Sequence, residues 1–425
     1  MTTPDISLPS TSSGETNSKT QVDDGTFPEG GSAWLVVFGA WCALFSSLGI
    51  MNTIGAFEEY ISTHQLKEYD VSTVGWIFSL YAFLTFGVGL FVGPIFDKYG
   101  ARWLILSGSL LVVLSMDTIG YCEEYWQFII VFSILGGVGS ALMFSPSIAV
   151  IGHYFNRRRG IATGIATTGG AVGGIVFPLI LQYLIPRIGF VWATKIIALI
   201  SMVLCAFANV FIKGGIKSGK NSNARPDLRI LAHPIFAVTV VWIFLLEFAL
   251  FVPLTYINSY CNSRGFAPAF YSLVLPVLNV GSFCGRLLPG YLADKLGRFN
   301  AAIFAIFLTV ISVLGVWLPF GGNKTGIMVF ALIFGLGSGS NISLTPVCIG
   351  QLCNVANYGR YYSTCFSIVS LGCLFGVPLA GEILDMNDGN FDGLVIFVGC
   401  CYAGGLFAFG VARVLAIKRE LGWKF

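Results

Sequence analysis

The sequence predicts an all-α membrane protein: twelve transmembrane helices in two pseudo-symmetric six-helix bundles. Three observations predict it. First, hydrophobic residues make up 55% of the 425 positions, charged residues only 11%, and the mean hydropathy is +0.79, whereas a soluble chain carries about 25% charged residues. Second, the apolar residues form runs of about 20 that are apolar on all faces, the pattern of bilayer-crossing helices rather than of a striped soluble bundle. Third, one motif occurs twice, as Gly93-Pro94-Ile95-Phe96-Asp97-Lys98-Tyr99-Gly100-Ala101-Arg102 and as Gly290-Tyr291-Leu292-Ala293-Asp294-Lys295-Leu296-Gly297-Arg298. Its Gly, Asp, Lys and Gly recur at identical spacing, and each copy lies between two apolar runs, as in a duplicated transporter.

The predicted spans are 33–57, 74–96, 103–121, 126–150, 161–185, 190–212, 235–260, 270–293, 300–320, 326–350, 361–383 and 392–416. A 32-residue polar stretch precedes the first span, which lacks a basic leader and is too long for a signal peptide. Residues 1–32, rich in Ser, Thr, Asp and Gly, are predicted to be a disordered cytoplasmic N-tail. Residues 33–212 form the first bundle, 213–234 a basic cytoplasmic linker, 235–416 the second bundle, and 417–425 a cytoplasmic C-tail. A second repeat supports this division. Gly137-Val138-Gly139-Ser140 ahead of Ser145-Pro146 in span four matches Gly337-Ser338-Gly339-Ser340 ahead of Thr345-Pro346 in span ten.

Basic residues set the orientation. Lys67, Arg187, Arg264 and Lys324 fall on outer loops, Lys195 and Arg286 inside spans, and the other 18 of the 24 on segments that are cytoplasmic if both termini are inside. The formal charge of +3 is therefore a topological signal, and no basic stripe or motif points to nucleic acid. Eleven scattered Cys and three His show no metal-ligand spacing. They predict no metal and no cofactor, and most of the Cys read as small packing residues. Cys122 and Cys261 lie nearest the outer loops and are the one pair placed to meet. No nucleophile elbow or P-loop occurs, which argues against an enzyme and against an ATP-driven pump. Asn323-Lys324-Thr325 is a glycosylation sequon on a short outer loop.

In each motif loop Gly93 or Gly290 permits close packing, and Gly100 or Gly297 a sharp turn. Asp97 closes one helix beside the start of the next, where a helix N-terminus favours an anion. Lys98 and Arg102 are basic anchors and candidate partners for Asp97, and Asp294, Lys295 and Arg298 hold the corresponding gate positions of the second copy. In span five Gly160 and Gly164, Gly169 and Gly173, and Gly170 and Gly174 are four apart and share faces, predicting close helix contacts that serve packing, gating or both. Pro146 and Pro346 interrupt spans four and ten.

Charges inside the bilayer cost about 3 kcal/mol each unless paired or hydrated, so they mark function. Glu247 lies near mid-depth in span seven. Arg286 lies in span eight, eight residues and so about 12 Å from Asp294. At the equivalent place the first half has Gly89. A guanidinium cannot be neutralised, so Arg286 requires a wet cavity or an anionic partner, a substrate carboxylate or Glu247. Glu247 is the candidate proton-coupling residue, with a structural Glu247–Arg286 pair as the alternative. Asp117, Lys195 and Glu382 sit at outer boundaries, where they snorkel. Asn52 in span one, Tyr256 in span seven, and Asn279 and Ser282 in span eight are candidates to complete a substrate site around Arg286.

The paired motif loops resemble the signature of the major facilitator superfamily, in which this loop latches the two halves on the cytoplasmic side in the outward-open state. Further stretches are similar to the fungal branch of the monocarboxylate porter family. These are Glu29-Gly30-Gly31-Ser32-Ala33-Trp34, Gly55-Ala56-Phe57 with Tyr60, Ser72 with Trp76-Ile77 and Ser79, Arg159-Gly160-Ile161-Ala162-Thr163-Gly164, and Gly285-Arg286 with Pro289-Gly290. The resemblance runs from residue 28 onward. It implies a monomeric plasma-membrane transporter of a small molecule, with protons as a coupling ion. Two departures stand out. Animal monocarboxylate porters have a proton-carrying Lys where this chain has Asn52, and an Asp where it has Ser282. Fungal members are similar to carriers that take up carboxylates or riboflavin and to exporters of secondary metabolites. The lost Lys and the 37 Phe and 9 Trp favour export of a larger organic molecule, anionic or carboxylate-bearing, over proton-coupled uptake of monocarboxylates or riboflavin. A receptor or sensor with the same fold is the reading of another class.

Overall fold

The computed structural model describes residues 29–212, 228–271, 273–353 and 357–418. The tail 1–28, most of the linker (213–227) and the end 419–425 lie outside the described residues. Helices joined by short turns make up the described chain, with no strand among the described residues. Ten helices are long and apolar enough to cross a membrane. They resolve into the twelve expected spans for two reasons. Arg159–Phe211 is one 53-residue run broken at Gly189, whose φ of 81° no helix accommodates. Val274–Leu296 spans 23 residues but is less apolar because it carries Arg286, Asp294 and Lys295.

The spans are α1 (Ala33–Thr63), α2 (Thr73–Tyr99), α3 (Arg102–Tyr121), α4 (Tyr125–Tyr154), α5 (159–188), α6 (190–211), α7 (Pro234–Ser263), α8 (Val274–Leu296), α9 (Arg298–Phe320), α10 (Lys324–Leu352), α11 (Tyr358–Met386) and α12 (Asp392–Leu415). Several exceed the 20 or so residues that hydropathy marks. Their outer turns, such as Phe57–Thr63 of α1, are more polar yet stay helical. Large apolar side chains cover the outside, with Trp103 and Phe407 about three-quarters exposed (73% and 76%). A surface like this is stable in lipid, where the tails are as apolar as the side chains.

Small residues set the packing. In the first half α5 lies along α1: a Cβ on Gly169 would fall 2.3 Å from the Trp41 carbonyl, and one on Gly173 2.5 Å from that of Phe45. The Trp41 indole donates to the Thr168 hydroxyl at 3.2 Å across the same contact. In the second half α8 lies along α10, with a Gly285 Cβ position 2.0 Å from the Leu336 carbonyl. The halves touch along α5 against α8 and α2 against α11. There Gly160 and Gly290 face each other, Gly164 meets the Arg286 carbonyl, and Gly93 lies on Gly359 and Ser363. The shared faces read from span five are therefore two contacts, the motif-side pair against the other half and the deeper pairs against α1. Pro146 and Pro346 sit inside α4 and α10, and the Tyr358 hydroxyl donates to the Pro346 carbonyl at 2.9 Å. Cys122 and Cys261 are both buried and unpaired, so they do not meet.

Candidate transport site and gate

Arg286 sits on α8 at its contact with α5, 3% exposed. Its Nη1 donates to the Thr167 carbonyl, while Nε is buried with no partner. Glu247, on α7, is 4% exposed. The two feel each other's charge, but no ion pair at 4.0 Å or less joins them. The direct Glu247–Arg286 pair entertained from the sequence is therefore not formed. A guanidinium with one backbone acceptor and a remote carboxylate is under-satisfied for a buried charge.

The other candidates are distributed unevenly. Asn52 lies in the turn between the two helical stretches of α1, exposed, with Nδ2 donating to the Gly170 carbonyl at 3.0 Å. Gly170 of α5 also lies against the guanidinium: a Cβ there would be 3.2 Å from Arg286 Nη1. Asn52 and Arg286 thus meet across one glycine of α5. Asn279 is half-buried two turns before Arg286, on the same face of α8. Ser282 is 6% exposed and packs on Gly339 of α10, inside the bundle. Tyr256 lies nine residues, about 13 Å, beyond Glu247, with its hydroxyl against Gly381 of α11. The Tyr256 hydroxyl therefore faces α11, about two and a half turns along α7 from Glu247. Tyr362 and Tyr402, absent from the sequence reading, are fully buried near Glu247 with unpartnered hydroxyls. Nothing separates them in the sequence from the chain's 14 other tyrosines.

The motif ends of the halves are joined by two equivalent caps. Asp97, 1% exposed, accepts from the Gly359 N–H through Oδ1 and the Arg360 N–H through Oδ2, both at 2.9 Å. Asp294 accepts from the Gly160 N–H at 2.8 Å and the Ile161 N–H at 2.9 Å. Each carboxylate thus sits on the first turn of a helix in the other half, satisfying orphan donors at the positive end of the dipole. The expectation that Asp97 serves the next helix is corrected: the helix end is of the kind foreseen, but it belongs to α11. The basic neighbours form no ion pair with the aspartates at 4.0 Å or less among the described residues, although Arg298 and Asp294 feel each other's charge. Lys98 lies over Tyr99 at 5.3 Å and Lys295 over Tyr291 at 4.4 Å. Arg298 donates to the Asn156 carbonyl at 2.6 Å, whereas Arg102 is exposed at the start of α3. Gly100 and Gly297, at φ 82° and 99°, end α2 and α8 in conformations that residues with a Cβ rarely adopt, freeing each aspartate to face across. Arg159, 3% exposed, adds a stacking contact between the halves, 4.0 Å over the Tyr358 ring. Asn323 is exposed just before α10.

This pair of caps joins two halves of one helical membrane chain, and the sequence profile of the Major Facilitator Superfamily matches residues 36–377. The chain belongs to the Major Facilitator Superfamily. Among members of this superfamily, the riboflavin transporter MCH5 of Saccharomyces cerevisiae is 34% identical over 94% of this chain and 81% of its own. The fujikurins efflux protein of Gibberella fujikuroi is 33% identical over 93% of this chain and 85% of its own. The crystal structure of the human organic anion transporter MFSD10 superposes with a TM-score of 0.69 at 14% identity, covering 89% of this chain and 98% of that one. The major facilitator described here is thus a multi-pass membrane transporter.

Proposed function

We propose that this transporter exports a small organic anion, a carboxylate-bearing secondary metabolite, by alternating access around Arg286. The observation that carries the reading is the under-satisfied guanidinium at the contact of α5 and α8, helices of different halves. A permanent cation that finds no carboxylate in contact within the protein is completed by an anionic ligand, and a ligand held between the halves couples their motion. Asn52, joined to the same turn of α5 and exposed, supplies a hydrogen-bonding group, and Asn279 a second. The fujikurins efflux protein supports the outward direction. In this reading residues 33–212 and 235–416 rock as two bodies, with 213–234 linking them. Both termini are cytoplasmic, the chain acts as a monomer in the plasma membrane, and no metal, cofactor or catalytic step takes part. The capped motif side is the cytoplasmic gate, closed here.

Glu247 favours a second reading, proton-coupled uptake of monocarboxylates or riboflavin, because a buried carboxylate in the field of Arg286 is a natural proton carrier; MCH5 supports the substrate. Cells carrying the protein are expected to take up riboflavin and lactate no faster than cells lacking it. Faster uptake of either would replace export with this alternative. In both readings Glu247→Gln is expected to abolish transport driven by a pH gradient while leaving substrate exchange at equal pH intact. Retained pH-driven transport would remove Glu247 from the coupling step.

A further inference from the structure

The stretch that opens α1, Glu29 to Trp34, takes no part in the transport site, yet it grips the loop ahead of α5. Glu29 is half-buried, and its Oε1 accepts from the Asn156 N–H at 2.6 Å and from the Arg157 N–H. The Trp34 ring packs edge-on against Phe155 with centroids 5.1 Å apart. The second half holds the same loop. Arg298 donates to the Asn156 carbonyl at 2.6 Å, and Asp294 accepts from Gly160 and Ile161. Asn156 is therefore clamped by its N–H to the first half and by its carbonyl to the second. The amides it precedes are orphan donors at a helix start, and their direction decides whether Asp294 can cap them. A loop released from Glu29 loses two charge-assisted bonds and the fixed direction of those amides.

We propose that Glu29 is a positioning residue of the gate: a third carboxylate that holds the 155–158 loop so that Asp294 can cap α5. The proposal rests on reading the Asp97 and Asp294 caps as a gate. It also accounts for an acidic residue at the head of the first span, where a membrane helix needs none for insertion.

Cys348 of α10 reports on the gate without any added label. It is fully buried, and its S–H points to the Arg298 carbonyl at 3.7 Å. In full-length protein in inside-out vesicles, the rate at which N-ethylmaleimide modifies Cys348 is read by mass spectrometry. Glu29→Ala is expected to raise that rate about 5-fold, and Glu29→Gln, which keeps an uncharged acceptor, about 2-fold. Asp294→Asn is expected to raise it further. Because Glu29 acts through the Asp294 cap, the Glu29→Ala, Asp294→Asn double variant should be no faster than Asp294→Asn alone. If both Glu29 variants label at the wild-type rate while Asp294→Asn labels faster, Glu29 has no part in the gate. If the double variant is additive, Glu29 stabilises the fold and does not position the loop. If Asp294→Asn also labels at the wild-type rate, the gate reading itself falls and takes the proposal with it.

Discussion

Arg286→Ala is expected to reach the membrane folded and to transport at no more than about 1% of the wild-type rate, since a substrate carboxylate would lose charge-assisted hydrogen bonds of about 1.5–3 kcal/mol each. Arg286→Lys is expected to recover only a small part, because an ammonium offers a point charge where the guanidinium offers a planar fork. The alanine variant also strips Glu247 of its nearby opposite charge, and an uncompensated buried charge is costly by itself. The Arg286→Ala, Glu247→Gln double variant separates the two effects. It should regain thermal stability relative to Arg286→Ala and remain inactive. Recovery of transport along with stability would assign Arg286 a structural role. The measurements are flux in proteoliposomes and the unfolding midpoint of the purified protein.

The second large effect belongs to the caps. Asn in place of Asp97 or Asp294 keeps one acceptor but turns an NH2 toward a helix N–H, so each replacement loses at least one charged hydrogen bond and sets two donors against each other. At about 1.5–3 kcal/mol per bond, the Asp97→Asn, Asp294→Asn protein is expected to shift its gate equilibrium toward open by at least about 100-fold and to stall in transport. Tyr99 and Leu296, 59% and 58% exposed, lie in the motif loops of opposite halves and accept spin labels as cysteine variants in a background freed of reactive native Cys. The interspin distance should lengthen in the double variant. An unchanged distance distribution would show that the caps do not hold the gate.

How much of this was legible in the sequence follows from the physics of each feature. Span positions, the duplication, the glycine faces of α5 and the isolation of Arg286 all depend on residue type and spacing, which a bilayer constrains strongly. The partners of those residues were harder to read. Asp97 announces itself as a helix cap, but its helix starts some 260 residues later, and only folding the halves together identifies it. The acceptor of Arg286 is the Thr167 carbonyl, a backbone group that any residue would supply. Tyr256 was legible as a polar residue of the seventh span, but that its hydroxyl meets Gly381 of α11 depends on how α7 and α11 pack. Ser282 shares a helix face with Arg286 yet turns to α10, a choice made by Gly339, which has no side chain to exclude it. Glu29 was visible as part of a family-like stretch, but its role depends on where the loop before α5 comes to rest.

The central claim is that a small organic anion crosses the membrane through this protein by way of Arg286. The most direct test is metabolite profiling of cells and medium from three strains carrying the wild-type protein, Arg286→Ala at matched membrane abundance, or neither. The account predicts at least one anionic metabolite enriched in the medium with the wild-type protein and retained in the cells of both other strains. A metabolite distribution identical in all three strains, or one that Arg286→Ala restores to wild type, would contradict it.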